Sequence, residues 1–166
     1  RAATRATRSG HIGVIGTAGT IASGAYERAI RAIAPDVTVT ARACPLFVPL
    51  VEEGWLDREA TRLIAREYLD PLVAERVDTL VLGCTHYPLL KPLLAEIVGR
   101  DVRLIDSAEE TAAATKRVLA ERGIEAPAGA APAHRFVASD APGHFLRQGQ
   151  QFLGVTIECV EKVTLG

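Results

Sequence analysis

The sequence predicts an α/β fold built on a doubly wound parallel sheet. Two observations predict it: segments of strand and helix character alternate almost without interruption, and the most apolar strand, Asp78-Thr79-Leu80-Val81-Leu82, has the continuous hydrophobic run of a strand buried on both faces. His11 to Ile15 reads as a short buried strand closed by Gly16. A helix is expected from about Ser23, with Ala25, Ala29, Ile30 and Ile33 at helical spacing and Pro35 as its stop. Val37 to Ala41 alternates as a strand, and Pro45 to Gly54 reads as a loop with a short helical turn. Asp57 is the expected N-cap of a helix running to about Leu69. After the strand at residues 78–82, Pro88 fits the first position of a helix from Leu89 to Val98, because its missing N–H costs nothing there. Val102 to Ile105 is a further strand, and Asp106-Ser107 should cap a helix from Ala108 to about Arg122 whose first turn carries Glu109 and Glu110. A low-complexity stretch, residues 126–133, then precedes a strand (Arg135 to Ser139), a helix (about Pro142 to Phe152) and a last strand (Thr156 to Val160).

Composition excludes several classes. A 166-residue chain with 48% hydrophobic and 23% charged residues is globular rather than disordered or fibrous. The net charge of −1, with interspersed signs, gives no nucleic-acid or membrane surface, so neither partner is expected. No apolar run approaches the length of a membrane span, and the first ten residues lack the apolar core of a signal peptide. Cys44, Cys84 and Cys159 are an odd number without a CxxC pair, which suits free thiols in a reducing cytoplasm. The chain opens on an arginine and contains no methionine, so an N-terminal portion of a parent protein is expected to be missing.

The chemistry concentrates in Gly83-Cys84-Thr85-His86-Tyr87-Pro88. In doubly wound folds ligands bind beyond the carboxyl ends of strands, and this loop puts a thiol there. Free N–H groups at a following helix start would favour an anion beside them, either a thiolate or a carboxylate docked on Thr85 and His86. His86 lies two residues from Cys84, close enough to exchange a proton, and Thr85 adds a hydroxyl. Such a group acts as an acid/base or as a nucleophile, and the residues alone leave both open. A metal site through Cys84 and His86 is not expected, since no second cluster with ligand spacing occurs.

Leu82-Gly83-Cys84-Thr85-His86-Tyr87-Pro88-Leu89-Leu90 resembles the second cysteine motif of glutamate racemases, in the aspartate/glutamate racemase family. Three further stretches resemble family motifs in the same order: residues 13–21 (Gly13 to Ile21), residues 43–54 (Ala43 to Gly54) and residues 104–111 (Leu104 to Thr111). The resemblance implies the second domain of a two-domain racemase fold together with a C-terminal segment of the first. Residues 1–9 would be the interdomain connection, 10–106 the second α/β domain, and 107–166 the segment that completes the absent first domain. Apolar Phe136, Val137, Phe145, Leu146 and Phe152 would then lack their partner surface.

By that resemblance, the activity is interconversion of L- and D-glutamate without a cofactor, with two cysteines on opposite faces of the α-carbon, supplying D-glutamate for peptidoglycan. Cys84 would be the second-domain acid/base acting on the L-enantiomer, His86 its assisting partner, and Glu52 the carboxylate near the site. Thr85, Thr17 and Thr20 would bind substrate, although Thr17 and Thr20 also suit plain N-cap hydroxyls. The other catalytic cysteine of the family, within a Cys-Asn-Thr segment, has no counterpart here, so the chain alone is expected to be inactive. The resemblance also allows a homodimeric full-length enzyme. Cys44 and Cys159 are read as packing residues, and His11, His134 and His144 as surface or structural. Alternatives are a racemase for aspartate or hydantoins, a thiol hydrolase using Cys84 as nucleophile, and a non-catalytic α/β domain that binds an anion.

Overall fold

The computed structural model describes residues 1–164, which fall into two compact units, residues 1–121 and the described residues from 122 onward. The first unit is built on four strands: β1 (His11–Gly16), β2 (Thr38–Ala43), β3 (Thr79–Leu82) and β4 (Arg103–Asp106). They form a parallel sheet in the order β2-β1-β3-β4, with Ile15 opposite Leu82 and Leu82 opposite Asp106. The chain leaves β1 toward β2 and returns to the other side of β1 for β3. A switch point therefore lies between the carboxyl ends of β1 and β3.

Side-chain alternation divides the sheet into two apolar faces, as a doubly wound fold requires. Ile15, Leu80 and Leu82 join one cluster, covered by α4 (Phe47–Glu52), α5 (Glu59–Ala74) and α6 (Lys91–Val98) through Phe47, Val51, Ala65, Leu69, Leu72, Leu93 and Leu94. Ile12, Val14, Val81 and Ile105 join the other, under α1 (Ala2–Ala6), α2 (Ala18–Ala22) and α3 (Ala25–Arg31) through Ala3, Ile21, Tyr26 and Ile30. Asp78, just before β3, ties the first residues down. Its carboxylate accepts from the Thr7 hydroxyl (2.7 Å) and from the backbone N–H groups of Arg8 (2.6 Å) and Ser9 (2.5 Å). Partial burial works to raise its pKa, but these donors outweigh it and hold the carboxyl well below the ordinary carboxylate range.

Several local expectations change. The helix expected from about Ser23 is α3, which starts after Gly24 at φ 61°, and a short helix not expected from sequence, α2, precedes it. Asp57 does not cap α5; Arg58 occupies the N-cap position, and the Asp57 carboxylate accepts from Arg62 Nη2 at 2.9 Å instead. α5 also runs past Leu69 and through Pro71. Proline has no N–H for the carbonyl four residues earlier. That carbonyl, of Glu67, accepts from Arg42 Nη2 at 3.1 Å.

The helix expected from Leu89 is divided as well: a 3-10 turn, Tyr87–Leu90, precedes α6. Pro92 cannot donate to the carbonyl of Pro88, so Lys91 N–H takes it in the shorter 3-10 pattern. Asp106 caps α7 (Ser107–Arg122), accepting from Ala108 N–H at 2.8 Å and Glu109 N–H at 3.4 Å. No residue of α7 is buried.

The second unit holds α8 (Pro142–Leu153) and a two-stranded parallel sheet of β5 (Val137–Ala138) and β6 (Glu161–Lys162). The last strand thus lies after the Thr156 to Val160 stretch expected from sequence, and an Arg135–Glu161 pair at 2.6 and 2.7 Å stands beside it. Cys159 is exposed outside any strand and is not a packing residue. Val137, Phe145 and Phe152 are exposed, whereas Phe136 and Leu146 are half-buried. Among the described residues no helix is long and apolar enough to cross a membrane.

Candidate active site

β3 runs into Gly83, whose N–H donates to Ile15 O at 2.8 Å and so holds the loop against the end of β1. The approach leaves no space for a side chain: a Cβ here would lie 2.7 Å from Ile15 O and 3.1 Å from Tyr26 Cε2. Cys84 follows at the start of a tight turn closed by Tyr87 N–H on Cys84 O at 3.3 Å, with Thr85 and His86 at its tip. Cys84 is half-buried against the apolar cluster, and Thr85 is exposed.

The imidazole of His86 links three groups. Its Nδ1 stands 4.0 Å from Cys84 Sγ and 3.3 Å from Thr85 Oγ1, and its Nε2 stands 3.1 Å from Glu52 Oε1. A carboxylate can only accept, so Nε2 donates to Glu52 in the neutral ring. Nδ1 is then left with its lone pair toward the thiol and the Thr85 hydroxyl. In the protonated ring both nitrogens donate, Nε2 to Glu52 and Nδ1 toward Cys84 Sγ. The arrangement can therefore move a proton between Cys84 and His86 while Glu52 fixes the ring's orientation.

Glu52 reaches His86 because α4 packs on the 3-10 turn after the loop. Phe47, at the start of α4, meets the Tyr87 ring edge-on, with centroids 5.2 Å apart and planes at 88°. Tyr87 is fully buried, and its hydroxyl donates to the carbonyl of Cys44 just after β2 at 2.9 Å. Burial and the neighbouring Cys44 and Cys84 push the Tyr87 phenol well above its ordinary range, so it stays a neutral donor. Tyr87 was not among the sequence-predicted site residues. The signal was an aromatic residue ending an otherwise polar loop just before Pro88.

The other predicted residues form a separate pair. Thr17 is the N-cap of α2; its Oγ1 accepts from Thr20 N–H at 3.3 Å and stands 2.9 Å from Thr20 Oγ1. Both threonines are half-buried just after β1, Thr17 at the N-cap and Thr20 within α2, as Cys84 is half-buried in the loop after β3, so the two groups flank the switch point. Direct contacts thus join Cys84, Thr85, His86 and Glu52, and join Thr17 to Thr20. Cys44 is fully buried, and burial, only partly offset by Arg42, pushes its thiol up to about 12. That assigns it to packing. Among the described residues no group of His, Cys, Asp and Glu is placed to hold a metal ion.

Comparison with known proteins gives a consistent result. The glutamate racemase of Syntrophus aciditrophicus (strain SB) is 51% identical over 165 residues, covering 99% of this chain and 61% of that protein. In structure, a glutamate racemase isoform from Bacillus anthracis superposes with a TM-score of 0.91 at 40% identity, over 99% of this chain and 61% of that one. The glutamate racemase of Francisella tularensis, solved in complex with D-glutamate, gives 0.85 at 34% identity, over 95% of this chain and 59% of that one. The chain therefore spans about 61% of the length of the curated relatives it matches. A family model described as Asp/Glu/Hydantoin racemase matches residues 1–115. The chain belongs to the Asp/Glu/Hydantoin racemase family.

Proposed function

We propose that this chain supplies one half of a glutamate racemase active site, with Cys84 as the acid/base on one face of the substrate α-carbon. The observation that carries the reading is the contact chain Glu52–His86–Cys84 beside the switch point, in a fold shared with glutamate racemases, one of them solved with D-glutamate. Inversion at carbon requires a base on one face and an acid on the other. The Cys84 thiolate takes the α-proton of L-glutamate, and a second thiol, outside this sequence, returns a proton from the opposite side. In the reverse direction the Cys84 thiol delivers the proton. His86, oriented by Glu52, holds the thiol proton when Cys84 acts as base. No cofactor takes part, and the product D-glutamate serves peptidoglycan synthesis in the cytoplasm.

The main obstacle is the weak acidity of an amino-acid α-proton relative to a thiol. Hydrogen-bond donors fixed at the substrate carboxylate reduce that mismatch, because they stabilise charge that develops only as the proton leaves. Thr85, exposed at the turn tip, and the Thr17–Thr20 pair supply such donors from this side of the site. In this reading residues 107–166 complete the other domain, which accounts for the exposed apolar side chains of α8, Phe145, Phe152 and Leu153.

The test is racemisation followed by circular dichroism. This 166-residue chain alone should leave L-glutamate optically unchanged. The full-length protein should racemise it, and Cys84→Ala there should lower kcat by about 10³-fold or more. Full racemisation retained by that variant would overturn the role of Cys84, and turnover by the chain alone would overturn the two-half reading.

A further inference from the structure

We propose that Tyr87 is a positioning residue for the Cys84–His86–Glu52 chain, acting through its hydrogen bond to Cys44 O and its ring contact with Phe47. This rests on the reading of Cys84 as the acid/base. The reactive turn is fixed at two points. At one end Gly83 N–H holds Ile15 O, and at the other Tyr87 N–H closes onto Cys84 O. Beside the His86–Glu52 contact, Tyr87 extends beyond the turn: its hydroxyl crosses to the chain just after β2, 43 residues away in sequence. Its ring meets Phe47, which opens the same helix that Glu52 ends. Phe47 in turn meets Tyr68 of α5 edge-on at 5.2 Å. One side chain therefore sets the spacing between the turn that carries Cys84 and His86 and the helix that carries Glu52.

That spacing matters because the Sγ–Nδ1 separation of 4.0 Å is already at the long end for a sulfur hydrogen bond. A small outward movement of the turn disconnects the thiol from the ring, and a small movement of α4 disconnects the ring from its carboxylate. Proton transfer falls steeply with such displacements, whereas substrate binding through Thr85, Thr17 and Thr20 is less sensitive.

Tyr87→Phe keeps the ring and removes the hydroxyl. In the full-length protein it should lower kcat about tenfold while KM stays within about twofold. In the same protein, the pH dependence of Cys84 alkylation by iodoacetamide, resolved by peptide mass spectrometry, should shift. A purely structural tyrosine would lower only the melting temperature. Unchanged kcat and an unchanged Cys84 profile in folded Tyr87→Phe would therefore overturn the proposal. If that variant does not fold, Phe47→Leu, which loosens α4 and keeps the hydroxyl, should shift the Cys84 profile, and a wild-type profile there overturns it equally. Racemisation surviving Cys84→Ala strikes at the reading of the site instead, so the two failures are distinguishable.

Discussion

At the residue scale, chemistry follows environment more than identity. Cys44 and Cys84 sit in the same apolar cluster, yet Cys44 is sealed while Cys84 is half-open and faces an imidazole. The sequence placed Cys44 correctly as packing but misplaced Cys159, because apolar neighbours in a short segment do not reveal whether that segment pairs. Asp78 is a carboxylate whose setting likewise decides its behaviour. Its folded pKa lies below the unfolded value, so the stability it adds is fully present above the unfolded pKa. That stability is lost as pH falls through the folded pKa. Asp78→Asn should therefore destabilise the chain by about 2 kcal/mol near pH 7, since a neutral amide cannot accept all three donors equally well. Denaturant unfolding measured from pH 7 down to pH 2 should show wild type converging on the variant toward the acid end.

At the scale of elements, the alternation of strands and helices along the chain was legible because side-chain period is a local property of the sequence. Helix boundaries near prolines were not. Pro71 sits inside α5 because Arg42, distant in sequence, takes up the carbonyl it leaves without a donor. Pro92 instead leaves the carbonyl of Pro88 to Lys91 N–H, so the loop ends in a 3-10 turn rather than at an α-helix start. The site was partly legible too. Cys84, Thr85 and His86 are contiguous, but Glu52 meets His86 only through the packing of α4, and Tyr87 acquires its role only where β2 ends. The junction of β1 and β3 offers a direct check. Gly83→Ala forces a methyl group against Ile15 O at 2.7 Å, a backbone atom that cannot move without disturbing β1. It should lower stability by about 1–3 kcal/mol and weaken activity of the full-length protein with it, as thermal melts beside racemisation assays would show.

At the scale of the whole chain, the two compact units differ in how their apolar residues are used. Residues 1–121 bury one side-chain cluster on each face of a sheet, with Ile12, Val14, Ile15, Leu80 and Leu82 fully enclosed. The described residues from 122 onward bury little: Ala138 and Ile157 are enclosed, while Phe145, Phe152, Leu153 and Val155 are exposed. Such a unit gains little hydrophobic stabilisation against the entropy of ordering its chain. The stretch from residue 121 to residue 135 is exposed throughout and contains no helix beyond Arg122 and no strand. Backbone of that kind is where proteases cut first. Brief trypsin treatment should therefore cleave after Arg122 before any site between β1 and β4, and the product ending at Arg122 should keep the melting temperature of the uncut chain. Mass spectrometry of the early fragments decides it. First cuts at Arg42 or Arg62, both held by side-chain hydrogen bonds within the larger unit, would show that its core is not the stable part of this chain.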